Sequence, residues 1–259
     1  MTGDTALEAR GLTKSFGGVL AINDVSFNVR AGSLTAAIGP NGAGKTTLFN
    51  VLTNLYPPDA GTASFFGTSL AGRPPDTIAA LGLVRTFQTA RVFPGMTVLE
   101  NILVGAHLRI RSAPWQQALR LGPVGREERA ILMKAEALLE VIGLAGRRDD
   151  PAVSLPLGAQ KLLEVVRALM AMPRVLLLDE PAAGLNEAET PELARLLRAV
   201  RAAGTTLMVV EHNMSLVMGI ADEIIVLDLG RVIAAGSPAA VQSDPRVIEA
   251  YLGKEMETV

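Results

Sequence analysis

Nine residues, Gly39-Pro40-Asn41-Gly42-Ala43-Gly44-Lys45-Thr46-Thr47, constrain this chain of 259 residues more than any others. They fit the pattern G-x-x-x-x-G-K-[ST] and follow an apolar run, Leu34-Thr35-Ala36-Ala37-Ile38, that reads as a buried strand. A helical pattern comes next, with Leu48, Phe49, Val51 and Leu52 at its apolar positions. Strand, glycine loop and helix together make an anion trap, because a helix N-terminus aims backbone N–H groups and its positive dipole end at one spot. Gly42 and Gly44 permit backbone conformations and a close approach that a Cβ would obstruct. An ordinary glycine turn before a helix is the plainer reading, but the complete nonapeptide in this context points to phosphate. The expected ligand is a nucleoside triphosphate. Lys45 would pair with its β and γ phosphates, Thr46 would ligate Mg2+, and Thr47 would reach the α phosphate.

Bulk composition narrows the classes. Charged residues make up 19% and hydrophobic ones 49%, which excludes a disordered chain. A net charge of −2 supplies no general attraction to nucleic acid or anionic lipid, so no nucleic-acid partner is expected. Without cysteine, disulfides, thiol catalysis and cysteine metal sites are excluded. Met1 to Arg10 carries Asp4 and Glu8 and has no apolar run, so it does not read as a signal peptide. Nor does any uncharged apolar stretch reach the ~20 residues that a membrane span requires. The expectation is a cytosolic chain that can still dock on a membrane protein.

Along the chain, Leu7 to Leu12 alternates loosely, as an edge strand would, and leads into a polar, glycine-flanked loop holding Phe16. Phe16 has two readings, core packing or a face for stacking on adenine. Val25 to Val29 alternates strictly, as a half-buried strand should. Pro57 to Gly61 is a turn, Thr62 to Phe66 a strand, and Leu83 to Phe87 a further strand ending at Gln88. A glutamine there is ordinarily a surface amide. From 97 to 150 the pattern turns helical, with Val98, Leu99, Ile102 and Leu103, then Ile131, Ala135, Leu138, Leu139 and Ile142. A looser basic stretch lies between, with Arg109, Arg111 and Arg120, which reads as a solvated face or a docking surface. This region reads as a helical insertion in one α/β core, its last long helix ended by Gly143 and Gly146.

Beyond it, Leu157 to Met172 reads as a helix, and Arg174-Val175-Leu176-Leu177-Leu178-Asp179-Glu180 as a buried strand delivering two carboxylates at its C-terminal edge. Alone, these are acids exposed at a strand end. Paired with the phosphate loop, Asp179 becomes a candidate to hold Mg2+ through water, and Glu180 to orient or deprotonate the attacking water. Thr206 to Val210 is another buried strand, ending in Glu211-His212. His212 is either a structural histidine or, at the edge where Asp179 and Glu180 emerge, a γ-phosphate contact. A hairpin around Gly230 and a short helical tail from Pro238 to Gly253 follow.

Elements in this order resemble the ATPase subunits of ABC transporters over nearly the whole chain. The resemblance implies an α/β fold: a P-loop NTPase (RecA-like) core with a mixed sheet, an N-terminal antiparallel β portion and an inserted helical subdomain. It implies one domain over residues 1–253, with core 1–90 and 157–243, insertion about 91–156, a tail over 238–253, and 254–259 trailing. ATP and Mg2+ are the implied cofactors. Gln88 looks like the Q-loop residue, acting in catalysis and on Mg2+. His212 looks like the switch histidine and Phe16 like the adenine-stacking aromatic. Leu155-Pro156-Leu157-Gly158-Ala159-Gln160 sits where the family's L-S-x-G-Q signature belongs, with Leu155, Pro156, Gly158 and Gln160 facing a partner's ATP. Two departures stand out. Pro156 replaces the signature serine, removing a hydroxyl, and Asn186 replaces an acid often seen in the D-loop, leaving an amide. Proline suits a helix start, where N–H groups lack partners and φ is already helical.

Arg85-Thr86-Phe87-Gln88, residues 93–105, Glu211-His212-Asn213-Met214 and the ending from Asp244 to Gly253 are similar to the ATP-binding subunits of branched-chain amino-acid uptake systems. That similarity implies two permease subunits, a second ATPase subunit in a homo- or heterodimer, and a substrate-binding protein. The chain itself would sit peripherally on the inner face of the cell membrane. Two other classes compete. A soluble ABC ATPase of DNA repair or translation would usually carry paired domains, coiled coils or basic extensions; a pure nucleotide-binding module would have no need of Glu180 and His212.

Overall fold

Alternation near the N-terminus produces a long antiparallel hairpin, β1 (Thr5–Phe16) and β2 (Val19–Arg30), turned at Gly17 and Gly18 with positive φ. β4 (Ala60–Phe65) and β5 (Thr68–Ser69) complete this sheet in the order β2-β1-β4-β5. β1 is therefore an interior strand and not the edge strand its sequence suggests, and it runs on through Lys14 to Phe16. The pattern misleads because register shifts between Ala9 and Leu12, and between Leu12 and Lys14, break the two-residue period.

The second sheet joins β10 (Arg231–Gly236), β9 (Glu223–Asp228), β3 (Leu34–Ile38), β8 (Thr206–Val210), β7 (Val175–Asp179) and β6 (Leu83–Arg85), in that order among the described residues. From β9 to β6 every pairing is parallel, and β10 is antiparallel to β9. β3, β7 and β8 are buried throughout, as strands covered on both faces must be. Their residues divide by parity. Ala37, Leu177, Met208 and Val210 pack in one cluster with Leu48, Phe49 and Leu52 of α1 (Lys45–Leu52) and the antiparallel sheet. Ala36 and Ile38 face the other way, onto Val217, Val241 and Val247 of the later helices.

The computed structural model describes residues 5–86, 92–107 and 122–255. By contacts these form two units, 1–88 with 174–183 and 190–259, and 89–173 with 184–189. The sheets belong to the first unit. The second is helical: α3 (Val98–Val104), α4 (Gly122–Val141) and α5 (Leu157–Met170). α2 (Pro75–Leu81) lies between β5 and β6. Thr97 and Glu100 close a reciprocal capping box at the start of α3. Gly105 ends α3 so close to α5 that an added Cβ would lie 1.9 Å from the Arg167 carbonyl oxygen. The sequence reading placed α5 with the core; its packing groups it with α3 and α4. Gly143, at φ 70°, follows the end of α4 as a C-terminal glycine should.

Candidate functional site

Parallel register brings the sequence-predicted groups to one edge. Ala37 of β3 and Asp179 of β7 both pair with Val210 of β8, so the phosphate loop, Glu180 and His212 all leave the sheet at the C-terminal ends of neighbouring strands. That edge is where open α/β sheets bind ligands. A cleft of about 290 Å³ lies there, lined by Ala21, Asn41, Gly42, Ala43, Gly44, Lys45, Thr46, Thr47 and Glu180.

The loop holds its shape for identifiable reasons. Gly39, at φ 148°, passes so close to β9 that a Cβ would sit 2.0 Å from the Leu227 carbonyl oxygen. Gly44, at φ 99°, would place a Cβ 2.3 Å from the carbonyl oxygen of Ala21. Gly42 has φ 81° with open space around it, so conformation alone requires glycine there. Lys45 is 7% exposed, and its ammonium donates to the carbonyls of Gly39 at 2.7 Å and Pro40 at 3.0 Å. Gly44 is the N-cap of α1 and no side chain caps that end, so the leading N–H groups of the helix are left for a ligand in the cleft.

Asp179 is 1% exposed. Its Oδ2 accepts from Arg85 at 2.7 Å, while Oδ1 is buried with no hydrogen-bond partner among the described residues. Arg85 also donates to Asn50 Oδ1 at 2.6 Å and lies over the Phe49 ring, tying β6, α1 and β7 together. An orphaned carboxylate oxygen and the Thr46 hydroxyl are hard oxygen donors, the set that suits Mg2+. Among the described residues no group of three or more His, Cys, Asp or Glu clusters as a self-sufficient metal cage. Glu180 sits at φ 48°, a region side-chain-bearing residues rarely adopt, and its N–H donates to Val210 O at 2.9 Å.

Phe16, 42% exposed, is not core. Its ring meets Tyr56 edge-on at 5.3 Å, with the Lys14 ammonium 5.6 Å from its centroid, and it is not among the residues lining the cleft. Asp59 anchors this strand end. Its carboxylate accepts from Lys14 Nζ and from the Ser15 N–H and hydroxyl at 2.7–2.8 Å, led by the Lys14 bond, and its pKa falls from 3.8 to about 2. His212 is exposed and Gln88 lies outside the described residues.

In the helical unit, Pro156 is the N-cap of α5, one residue before the helix proper, with φ −54° but an extended ψ of 154°. The helix opens with Gln160 N–H donating to Pro156 O at 3.0 Å, and the Gln160 amide folds back to Leu155 O at 2.9 Å. Gly158 is buried, and a Cβ there would meet Glu189 Oε1 at 2.4 Å. Asn186 accepts from the N–H groups of Ala188 and Glu189 through its side-chain oxygen, so the turn after Gly184 packs on the start of α5.

Sequence reasoning missed the roles of Glu211, Arg85, Tyr56 and Glu189. Glu211 was visible as an acid ending a buried apolar strand and as the first residue of the Glu211-His212-Asn213-Met214 match, neither of which pointed to its hydrogen-bond partners.

The family model described as ABC transporter matches residues 22–183. The chain belongs to this ABC transporter family. A second family model, branched-chain amino acid ATP-binding cassette transporter, matches residues 231–257. Relatives include the high-affinity branched-chain amino acid transport ATP-binding protein LivG of Salmonella typhimurium, 43% identical over 249 residues, covering 96% of this chain and 98% of that protein. BraF of Pseudomonas aeruginosa, bearing the same description, is 42% identical with the same coverage. Among solved structures, the ADP conformation of an ATP-binding cassette of an ABC transporter superposes with TM-score 0.84 at 34% identity, covering 96% of this chain and 99% of that one.

Proposed function

We infer that this chain hydrolyses ATP to drive an ABC importer for branched-chain or other hydrophobic amino acids. The observation that carries the reading is the single cleft formed by Asn41 to Thr47 and Glu180, beside the buried, half-satisfied carboxylate of Asp179. Lys45 and the α1 N-terminus neutralise the β and γ phosphates, and the loop's backbone cradles them. Thr46 and, through water, Asp179 would hold Mg2+, with Gln88 as a further ligand; the bound ion would supply positive charge against the negative charge that develops on the phosphates. Arg85 occupies one oxygen of Asp179 and leaves the other for that work. Glu180 orients the attacking water and takes its proton, His212 addresses the γ-phosphate, and Phe16 offers its exposed face to adenine.

Two ATPase subunits, identical or different, sandwich two nucleotides, each between one subunit's Lys45-bearing loop and the other's residues Leu155 to Gln160. Two permease subunits and a substrate-binding protein complete the transporter, and this chain sits peripherally on the inner membrane face. Among the described residues no helix is long and apolar enough to cross a membrane. Support for the cargo is the identity to LivG and BraF and the match at residues 231–257. Against a soluble repair or translation ATPase stand the net charge of −2 and the same C-terminal match.

Lys45→Ala in the assembled transporter should abolish ATP hydrolysis and leave the fold intact. Loss of the positioned cation removes transition-state stabilisation that a methyl group cannot supply. Wild-type turnover in that variant would overturn the assignment.

A further inference from the structure

Glu211 stands between β8 and His212 and is 0% exposed. A buried carboxylate is costly unless hydrogen bonds satisfy it, and these are satisfied by backbone alone. Oε1 accepts from the Ala182 N–H at 2.6 Å, and Oε2 from the N–H groups of His212 at 3.1 Å and Asn213 at 3.2 Å. The residue's own N–H reaches Ala37 O of β3 at 3.3 Å. One residue thus joins three segments: the strand feeding the phosphate loop, the turn after Glu180, and the turn that begins at His212. The Glu180 turn needs such a hold, because φ of 48° is an uncomfortable conformation that persists only when its surroundings impose it. Three bonds impose it: Glu180 N–H to Val210 O, Ala183 N–H to Glu180 O, and Ala182 N–H to the Glu211 carboxylate. On the other side, Asn213 accepts from Leu216 N–H and caps the following helix, Met214–Ile220, so the His212 turn is anchored at both ends.

We propose that Glu211 is a positioning residue that fixes Glu180 and His212 in mutual register, so that the attacking water and the γ-phosphate are addressed together. It touches no substrate and acts through those two residues. A carboxylate offers acceptors on both oxygens. A glutamine would turn an NH2 donor toward N–H groups on one side and set the two turns apart. The inference rests on the ATP-hydrolysis reading above.

The test compares Glu211→Gln and Glu211→Asp in the assembled transporter, each alone and combined with His212→Ala. Glu211→Gln should lower kcat about 10- to 100-fold, the range expected when catalytic groups shift by ~1 Å, with KM for ATP and the affinity for a fluorescent ATP analogue unchanged. Glu211→Asp keeps both acceptors and should recover part of kcat. With His212 already replaced, Glu211→Gln should cost much less than it does alone, because the two act as a unit. A fully additive loss, or a loss that tracks a rise in KM and a fall in Tm, would indicate a merely structural role and overturn the proposal. Should Glu211→Gln fail to fold, Glu211→Asp carries the same KM-against-kcat and coupling measurements. Lys45→Ala separates the two readings. If it stays active, ATP hydrolysis at this site is wrong; if it is dead while Glu211→Gln is fully active, only the positioning role is wrong.

Discussion

Glu180→Gln keeps the size of the side chain and removes the proposed base. The backbone that holds the side chain, from the Val210 carbonyl to the turn over Ala183, does not depend on the carboxylate, so the cleft should persist. ATP should therefore bind normally while single-turnover hydrolysis falls by orders of magnitude. Unchanged hydrolysis would place the base elsewhere. Asp179 behaves differently, because Asp179→Asn leaves the Arg85 guanidinium buried beside a neutral amide. That change should cost stability as well as activity, since removing one partner of a buried ion pair is worth about 3–5 kcal/mol. Chemical denaturation of the two variants side by side reads the difference: Asp179→Asn should fall further below wild type than Glu180→Gln.

Gly105 tests how closely α3 and α5 depend on each other. Its backbone lies in the ordinary helical region, so alanine is conformationally acceptable, but the new methyl would overlap the Arg167 carbonyl. The helices must move apart, at roughly 1–3 kcal/mol for an overpacked contact. Gly105→Ala should lower Tm by several degrees, while Gly146→Ala, with open space around it, should not. At the other end of the chain, Asp59 secures the β1 terminus that carries Phe16. Its pKa is depressed, so its contribution is present above pH 3.8, its ordinary value, and is lost as pH falls toward about 2. Wild type and Asp59→Asn should differ in Tm at neutral pH and converge near pH 2. A constant gap down to pH 2 would mean that the carboxylate's charge is not what secures the strand.

In the proposed two-subunit sandwich, Pro156 would make the two ATP sites chemically unequal if the partner subunit has an intact signature. The site using this chain's Lys45 and Glu180 would receive the partner's serine; the opposite site would receive Pro156. A hydrogen bond to a charged group is worth roughly 1.5–3 kcal/mol. If formed mainly in the transition state, its absence slows hydrolysis at that site about ten- to a hundredfold. A serine at this N-cap would also bond the helix's leading N–H groups, which no side chain caps in this chain. Pro156→Ser, measured with each site silenced in turn through its catalytic glutamate, should accelerate the partner's site alone. No acceleration at either site would show that the missing hydroxyl is not limiting.

What could be read from the chain directly has short range. The nonapeptide from Gly39 to Thr47, the buried strands ending in Asp179 and Val210, and the hairpin at Gly230 each declare themselves within about ten residues, because backbone preference and burial pattern act locally. What could not be read depends on partners far away in sequence. Arg85 finds Asp179 across 94 positions, and Glu211 finds the Ala182 N–H across 29. A carboxylate gives no sign in sequence of which donors will surround it. The interior place of β1 was hidden by its own bulges, and α5 packs on α3, Gly105 lying against Arg167, across segments more than fifty residues apart. Local pattern marked the residues expected to face phosphate. Long-range packing settled which groups hold those residues still, since a buried polar atom must find its partner wherever the fold brings one.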